Sequence, residues 1–82
     1  MKKPNSLLTK SQLKTLEKYS SALNNAFNFD VIGYTDKHSE LLLSQIYYEA
    51  TGFQLTNWNC NQCRLNNWKK IGKLYYESQK LH

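Results

Sequence analysis

Apolar residues recur at the three-to-four-residue spacing of an amphipathic helix in three stretches of this chain. In the first stretch one face carries Leu13, Leu16, Ser20, Leu23 and Phe27. Thr9 and Gln12 have the spacing of a capping box, in which each side chain bonds the backbone N–H of the other residue. The pattern therefore predicts a first helix over 10–27.

The second stretch can begin at an N-cap formed by Thr35 or Asp36 and ends before Gly52, a residue suited to terminating a helix. Its apolar face consists of Leu42, Leu43, Ile46, Tyr47 and Ala50. These signals predict a second helix over 36–51. The link over 28–34 breaks the helical pattern, and we expect its apolar residues Phe29, Val31 and Ile32 to pack against the helices, with room for one short strand.

In the third stretch Asn59 and Gln62 read as a further cap, so we predict a helix over 60–79. Its inward face would consist of Cys60, Cys63, Trp68, Ile71, Leu74 and Tyr75. Gly72 on this helix indicates a close approach to a neighbouring helix. The fold class predicted is all-α, a compact three-helix domain with irregular links over 9–82, preceded by a flexible basic tail over 1–8.

A chain of 82 residues forms a single domain and leaves little room for a deep active-site cleft. Its net charge is +5, and the basic residues concentrate at the two ends while the middle holds most of the carboxylates. This asymmetry indicates a basic face that attracts acidic proteins or nucleic acid. A simple solvated lysine surface is the equally open interpretation.

Exposed tyrosines accompany these lysines on the predicted helices. Tyr48 and Tyr76 each follow a tyrosine that can face the core, and neighbours on a helix are about 100° apart, so both rings should reach the surface. Tyrosine is enriched at protein interfaces and also stacks on bases. The candidate binding residues are therefore Lys69, Lys70, Lys73, Tyr76, Lys14, Lys18, Arg64 and Tyr48. Bidentate base recognition prefers arginine, so one arginine among ten lysines disfavours sequence-specific readout.

No catalytic constellation is readable, so we predict a protein that is not an enzyme. The three glycines are isolated and the carboxylates are scattered, which excludes a glycine-rich phosphate loop and a paired-carboxylate site. No secretory leader or long apolar run is present, so we expect no membrane contact and a cytoplasmic location in a bacterial host.

Three interpretations of Cys60 and Cys63 remain open. A redox pair would lie at a helix N-terminus, but no βαβ pattern or facing proline accompanies it. A CxxC pair is also half of a tetrahedral zinc site, which a symmetric dimer could complete. We favour a third interpretation, free thiols that pack as small buried residues, and therefore expect no cofactor.

Tyr48-Glu49-Ala50-Thr51-Gly52 followed by Asn59-Cys60-Asn61-Gln62-Cys63 resembles a pattern in small uncharacterised proteins of bacteriophages and other mobile elements. The resemblance implies a small inhibitor or adaptor, similar in kind to anti-CRISPR proteins, that docks on a host protein or ribonucleoprotein as a monomer or a dimer. One alternative is a small basic nucleic-acid-binding protein that serves as a regulator or packaging accessory. A second is a dimer linked by zinc or by thiols through the CxxC pair.

Overall fold

The computed structural model describes residues 8–33 and 35–81, with the side chains of 8–33 and 35–80. Over these ranges the chain forms helices and no strand, with α1 at Lys10–Glu17, α2 at Ser20–Phe29, α3 at Lys37–Thr51 and α4 at Asn61–Leu81. The predicted all-α fold is confirmed. The prediction of three helices is wrong for this part of the chain, since four are present, and the link over 28–33 contains no strand.

The predicted first helix is divided at Lys18 and Tyr19. There the backbone tightens, because the N–H of Tyr19 donates to the carbonyl of Leu16 at 2.8 Å instead of reaching one residue further back. The turn places the Tyr19 ring 6.1 Å from the ring of Trp68, and its hydroxyl shares a 3.1 Å hydrogen bond with Ser39. Contacts with α3 and α4 therefore accompany a break that the helical spacing did not reveal.

The closest helix pair is α2 against α4. Gly72 allows it, because a Cβ at that position would lie 3.2 Å from the Cβ of Phe27 and 3.3 Å from the carbonyl oxygen of Leu23. The predicted close approach is thus present. The core around this contact is built from Leu8, Leu16, Leu23, Ala26, Leu43, Ile46, Leu55, Leu65, Trp68, Ile71, Leu74 and Tyr75.

The start of α1 has the predicted capping box. The N–H of Thr9 donates to the Gln12 side chain at 2.9 Å, and the N–H of Gln12 donates to the Thr9 hydroxyl at 3.1 Å. Most of the predicted tail, 1–7, lies outside the described residues. Leu8 is buried in the core, and its N–H donates to the Ser78 hydroxyl at 3.0 Å, so the helical domain includes this residue.

The caps of α3 agree with the prediction, whereas that of α4 does not. Asp36 caps α3 by accepting from the N–H of Ser39, and Gly52 ends the helix with a φ of 82°. At α4 the first turn starts from Cys60 and not from Asn59, because the N–H of Arg64 donates to the Cys60 carbonyl at 2.9 Å. Phe29 at the end of α2 and Val31 in the link after it are 65% and 55% exposed, so the expectation that they pack inward is wrong, whereas Ile32 packs against the core as expected.

Candidate functional site

A shallow groove of about 340 Å³ runs between the C-terminal end of α3 and the middle of α4. We call it the lysine groove; its lining consists of Tyr47, Thr51, Phe53, Lys70, Lys73, Leu74 and Glu77. The buried side chain of Leu74 makes the floor of the groove apolar. Burial raises the pKa of Tyr47, so its phenol stays protonated. The rim carries both the ammonium groups and the exposed ring of Phe53.

Phe53 is the most exposed large apolar side chain among the described residues, at 70%. Its position is set by hydrogen bonds, because the Thr51 hydroxyl donates to the Tyr47 carbonyl at 2.8 Å and accepts from the N–H of Phe53 at 3.1 Å. The left-handed conformation of Gly52 turns the chain between them. The groove therefore holds an aromatic ring out toward solvent from a defined backbone.

Phe53 was not among the residues predicted from the sequence. The available signal was an aromatic residue directly after a helix-ending glycine, where no helical spacing assigns it to a buried face. The sequence does not show whether such a residue is buried or exposed. It becomes a candidate for an interaction surface only once the structure shows that its ring is exposed.

The lysines predicted on α4 differ in how they are engaged. Lys70 and Lys73 are exposed and have no ion-pair or hydrogen-bond partner within the described part of the chain. Lys69 is half-buried and forms an ion pair with Asp30 at the end of α2. Two of the three predicted lysines therefore remain available to a partner, and the charge of the third is largely compensated.

Arg64, one of the binding candidates, makes several hydrogen bonds within the fold. Its Nε donates to the Glu40 carboxylate at 3.1 Å, and its terminal nitrogen donates to the Gly33 carbonyl at 2.9 Å and to the Thr35 hydroxyl at 2.7 Å. These bonds connect the first turn of α4 to the first turn of α3 and the link before it. A guanidinium engaged on this many sides has little left to offer a partner.

The two candidate tyrosines also separate. Tyr48 is 51% exposed, as predicted, and lines a cleft on α3 with Leu41 and Gln54. Tyr76 is only half-exposed, because its ring packs 5.5 Å from Phe27 and its hydroxyl donates to the Asn24 side chain at 3.5 Å. Tyr76 therefore belongs mainly to the contact between α2 and α4.

Lys14 on α1 and Lys18 at the C-cap of α1 do not line the lysine groove. Lys14 and Lys18 are exposed, and Lys18 lines a cleft together with Asp36 and Trp68. Trp68 and Lys70 are two residues apart on α4, so they point about 200° apart around the helix. Lys18 and Lys70 consequently lie on opposite sides of α4, so these two lysines do not share one face of that helix.

The cysteines are joined to each other in a Cys60–Cys63 disulfide, so the expectation of free thiols is wrong. Nor are they core residues, since Cys60 is exposed and Cys63 is half-buried. The N–H of Cys63 donates to the Cys60 sulfur at 3.0 Å. Among the described residues no group of three or more His, Cys, Asp or Glu side chains could hold a metal ion.

No helix in the described ranges is both long and apolar enough to cross a membrane. Comparison with known proteins finds no family model, curated protein or solved structure that matches the chain. The physical properties of the groove are therefore the basis for assigning a function.

Proposed function

We propose that the protein is a non-enzymatic binding protein that docks through the lysine groove on an acidic surface of a host protein, which can be the protein part of a ribonucleoprotein. The biological role proposed with it is that of an inhibitor or adaptor of the phage or mobile-element type, blocking a host effector by occupying its surface. The observation that carries the proposal is the exposed Phe53 ring, which lines one groove together with Lys70, Lys73 and the buried Leu74.

The chemistry of the groove fits a protein partner better than free nucleic acid. Interfaces between proteins centre on an aromatic anchor surrounded by polar groups, which is the arrangement of Phe53 and the two lysines. Nucleic-acid binding without base readout gains affinity with each phosphate contact that a basic side chain makes. Lys70 and Lys73 supply two, and Glu77 on the same groove opposes a polyanion.

The test compares the wild-type protein with a groove variant, Phe53→Ser combined with Lys70→Glu and Lys73→Glu, as baits in host lysate treated with nuclease. A matched control carries Lys14→Glu and Lys18→Glu, which change the charge by the same amount at residues that do not line the groove. We expect one host protein to be retained by the wild type and the control and lost by the groove variant. Retention by the groove variant would exclude the groove as the docking surface.

A purified partner then allows the contribution of Phe53 to be measured alone. Truncation of a central aromatic anchor costs about 2 kcal/mol or more of binding free energy, so Phe53→Ala should raise the dissociation constant by about 30-fold. If nuclease treatment instead removes every captured protein, and the chain binds oligonucleotides with a steep fall as salt rises, the nucleic-acid-binding alternative replaces this proposal.

A further inference from the structure

The disulfide at the start of α4 joins one exposed cysteine to one half-buried cysteine. Cys60 is exposed, Cys63 is half-buried in the first turn, and the bond joins residues only three apart in the chain. We propose that this pair is a thiol–disulfide exchange site, with Cys60 as the sulfur that exchanges with polar dithiols. The proposal does not depend on the docking function of the lysine groove.

The geometry of α4 makes the Cys60 sulfur the cap of this helix. The Cys60 carbonyl accepts the first helical N–H, that of Arg64, and its sulfur accepts the N–H of Cys63 at 3.0 Å. A serine or aspartate oxygen usually occupies this position. A disulfide sulfur is a weak acceptor, whereas a thiolate is an anion, so reduction strengthens this hydrogen bond and places negative charge at the positive end of the helix.

The charged groups around this end of α4 are mostly compensated or positive. Arg64 is paired with Glu40 and Asp30 with Lys69, so these two pairs add little net field at Cys60. Lys70, which has no partner in the described ranges, lines a cleft that also includes Cys63. The positive end of α4 therefore acts on the Cys60 sulfur, and Lys70 adds positive charge at the cleft beside Cys63.

The cleft beside Cys63 gives an incoming thiol a polar surface. It has a volume of about 190 Å³ and is lined by Gln54, Leu55, Thr56, Asn57, Cys63, Asn66, Asn67 and Lys70. Side-chain amides and one ammonium group can hydrogen-bond the amide and carboxylate groups of a peptide-like thiol. Polar and anionic thiols are therefore the class that this surface suits.

The exchange proceeds in two balanced steps. The thiolate of a dithiol attacks the Cys60 sulfur, forming a mixed disulfide and releasing Cys63 as a thiolate that takes up a proton. The second thiol of the dithiol then loses its proton and attacks its own sulfur in the mixed disulfide, releasing Cys60 as a thiolate. The dithiol is oxidised to its disulfide by two electrons, and the protein gains two thiols. Stabilising the Cys60 thiolate makes it a better leaving group in the second step.

The expected rate difference follows from the thiolate population. A free cysteine has a pKa of about 8.5, and a helix N-terminus in a CxxC motif lowers it. Each unit of lowering gives about tenfold more thiolate at neutral pH but reduces intrinsic nucleophilicity by about threefold, so the net gain in alkylation rate is about threefold.

The experiment reduces the wild-type protein with dithiothreitol, removes the reductant, and follows iodoacetamide alkylation of each cysteine by peptide mass spectrometry across a pH series. We expect Cys60 to react at least about threefold faster than Cys63 at neutral pH, with the midpoint of its pH profile below that of Cys63. The same reaction in denaturing guanidinium chloride should remove both differences. Equal rates in the folded protein, a faster Cys63, or equal midpoints would overturn the proposal.

The single variants Cys63→Ser and Cys60→Ser provide the matched pair, once circular dichroism has shown that each is helical. Cys63→Ser leaves the reactive sulfur and should form a mixed disulfide with oxidised glutathione, whereas Cys60→Ser should form it more slowly. If both variants react at the rate of an unfolded control, the helix end does not activate Cys60 and the assignment fails.

Discussion

Replacing Arg64 with methionine tests how strongly the two helix starts depend on one side chain. The Arg64 side chain is 17% exposed and the Glu40 side chain 12%, so their ion pair is shielded from water far more than a surface pair. Thr35 strengthens the cluster, because its hydroxyl accepts from Arg64 and donates to Glu40 at 2.7 Å. Methionine keeps most of the aliphatic packing of Arg64 while removing every donor.

The magnitude follows from what the substitution leaves behind. Breaking a fully buried pair by removing one partner costs about 3–5 kcal/mol, and the residual exposure of this pair lets water compensate part of that, so we expect about 2 kcal/mol. A chain of this length has a total stability of roughly 4–12 kcal/mol. The variant should therefore lose a large fraction of it, and its Tm should fall by roughly 8–16 °C.

The assay is urea and thermal unfolding followed by circular dichroism. Lys70→Met is the matched control, because Lys70 is exposed on the same helix without a partner in the described ranges, and it should stay within about 0.5 kcal/mol. A double-mutant cycle with Glu40→Gln isolates the pair and should give a coupling energy of about 1 kcal/mol or more. A loss below about 0.5 kcal/mol for Arg64→Met would refute the reasoning.

Three further perturbations follow from the fold. Leu16→Ala removes a side chain with 0% exposure and should cost about 2–5 kcal/mol in urea unfolding, whereas a cost below about 1 kcal/mol would contradict its place in the core. Gly52→Ala forces a φ of 82° on a residue with a Cβ, in open space, so the strain alone should cost about 1–2 kcal/mol by the same measurement. Hydrogen bonds from the Ser39 hydroxyl and N–H hold the pKa of Asp36 in the folded protein below its usual value. The Asp36 carboxylate therefore stabilises the fold fully at pH values above the unfolded pKa of about 4, and this stabilisation is lost as the pH falls through the lower pKa of the folded state. Asp36→Asn keeps the cap acceptor, so Tm measured from pH 6 to pH 2 should fall less steeply than in the wild type; parallel curves would argue against this role.

Some features of the fold could be read from the sequence because they depend on neighbours along the chain. The capping box of Thr9 and Gln12 and the Asp36 cap each need only a side chain and an N–H three residues away. The end of α3 at Gly52 depends on the conformational freedom of one residue. For the same reason the bounds of α3 differ from the prediction by only a single residue.

The candidate site was less predictable, because it depends on which charges find partners. Lys69, Lys70 and Lys73 share one helix and one residue type, and only the position of Asp30 at the end of α2 separates the first from the others. Arg64 is similarly indistinguishable in sequence from a surface cation until Glu40 is brought beside it.

The amino-acid pattern by itself determined the all-α class, the caps of α1 and α3 and most of the core positions on α4, since periodicity and capping are local properties. Only the tertiary structure decided the break at Tyr19, the pairing of Arg64 and the exposure of Phe53. The first two result from contacts between elements far apart in the chain, and the exposure of Phe53 results from the absence, in the described part of the chain, of a helix packed over it; all three are decided only once the helices have packed.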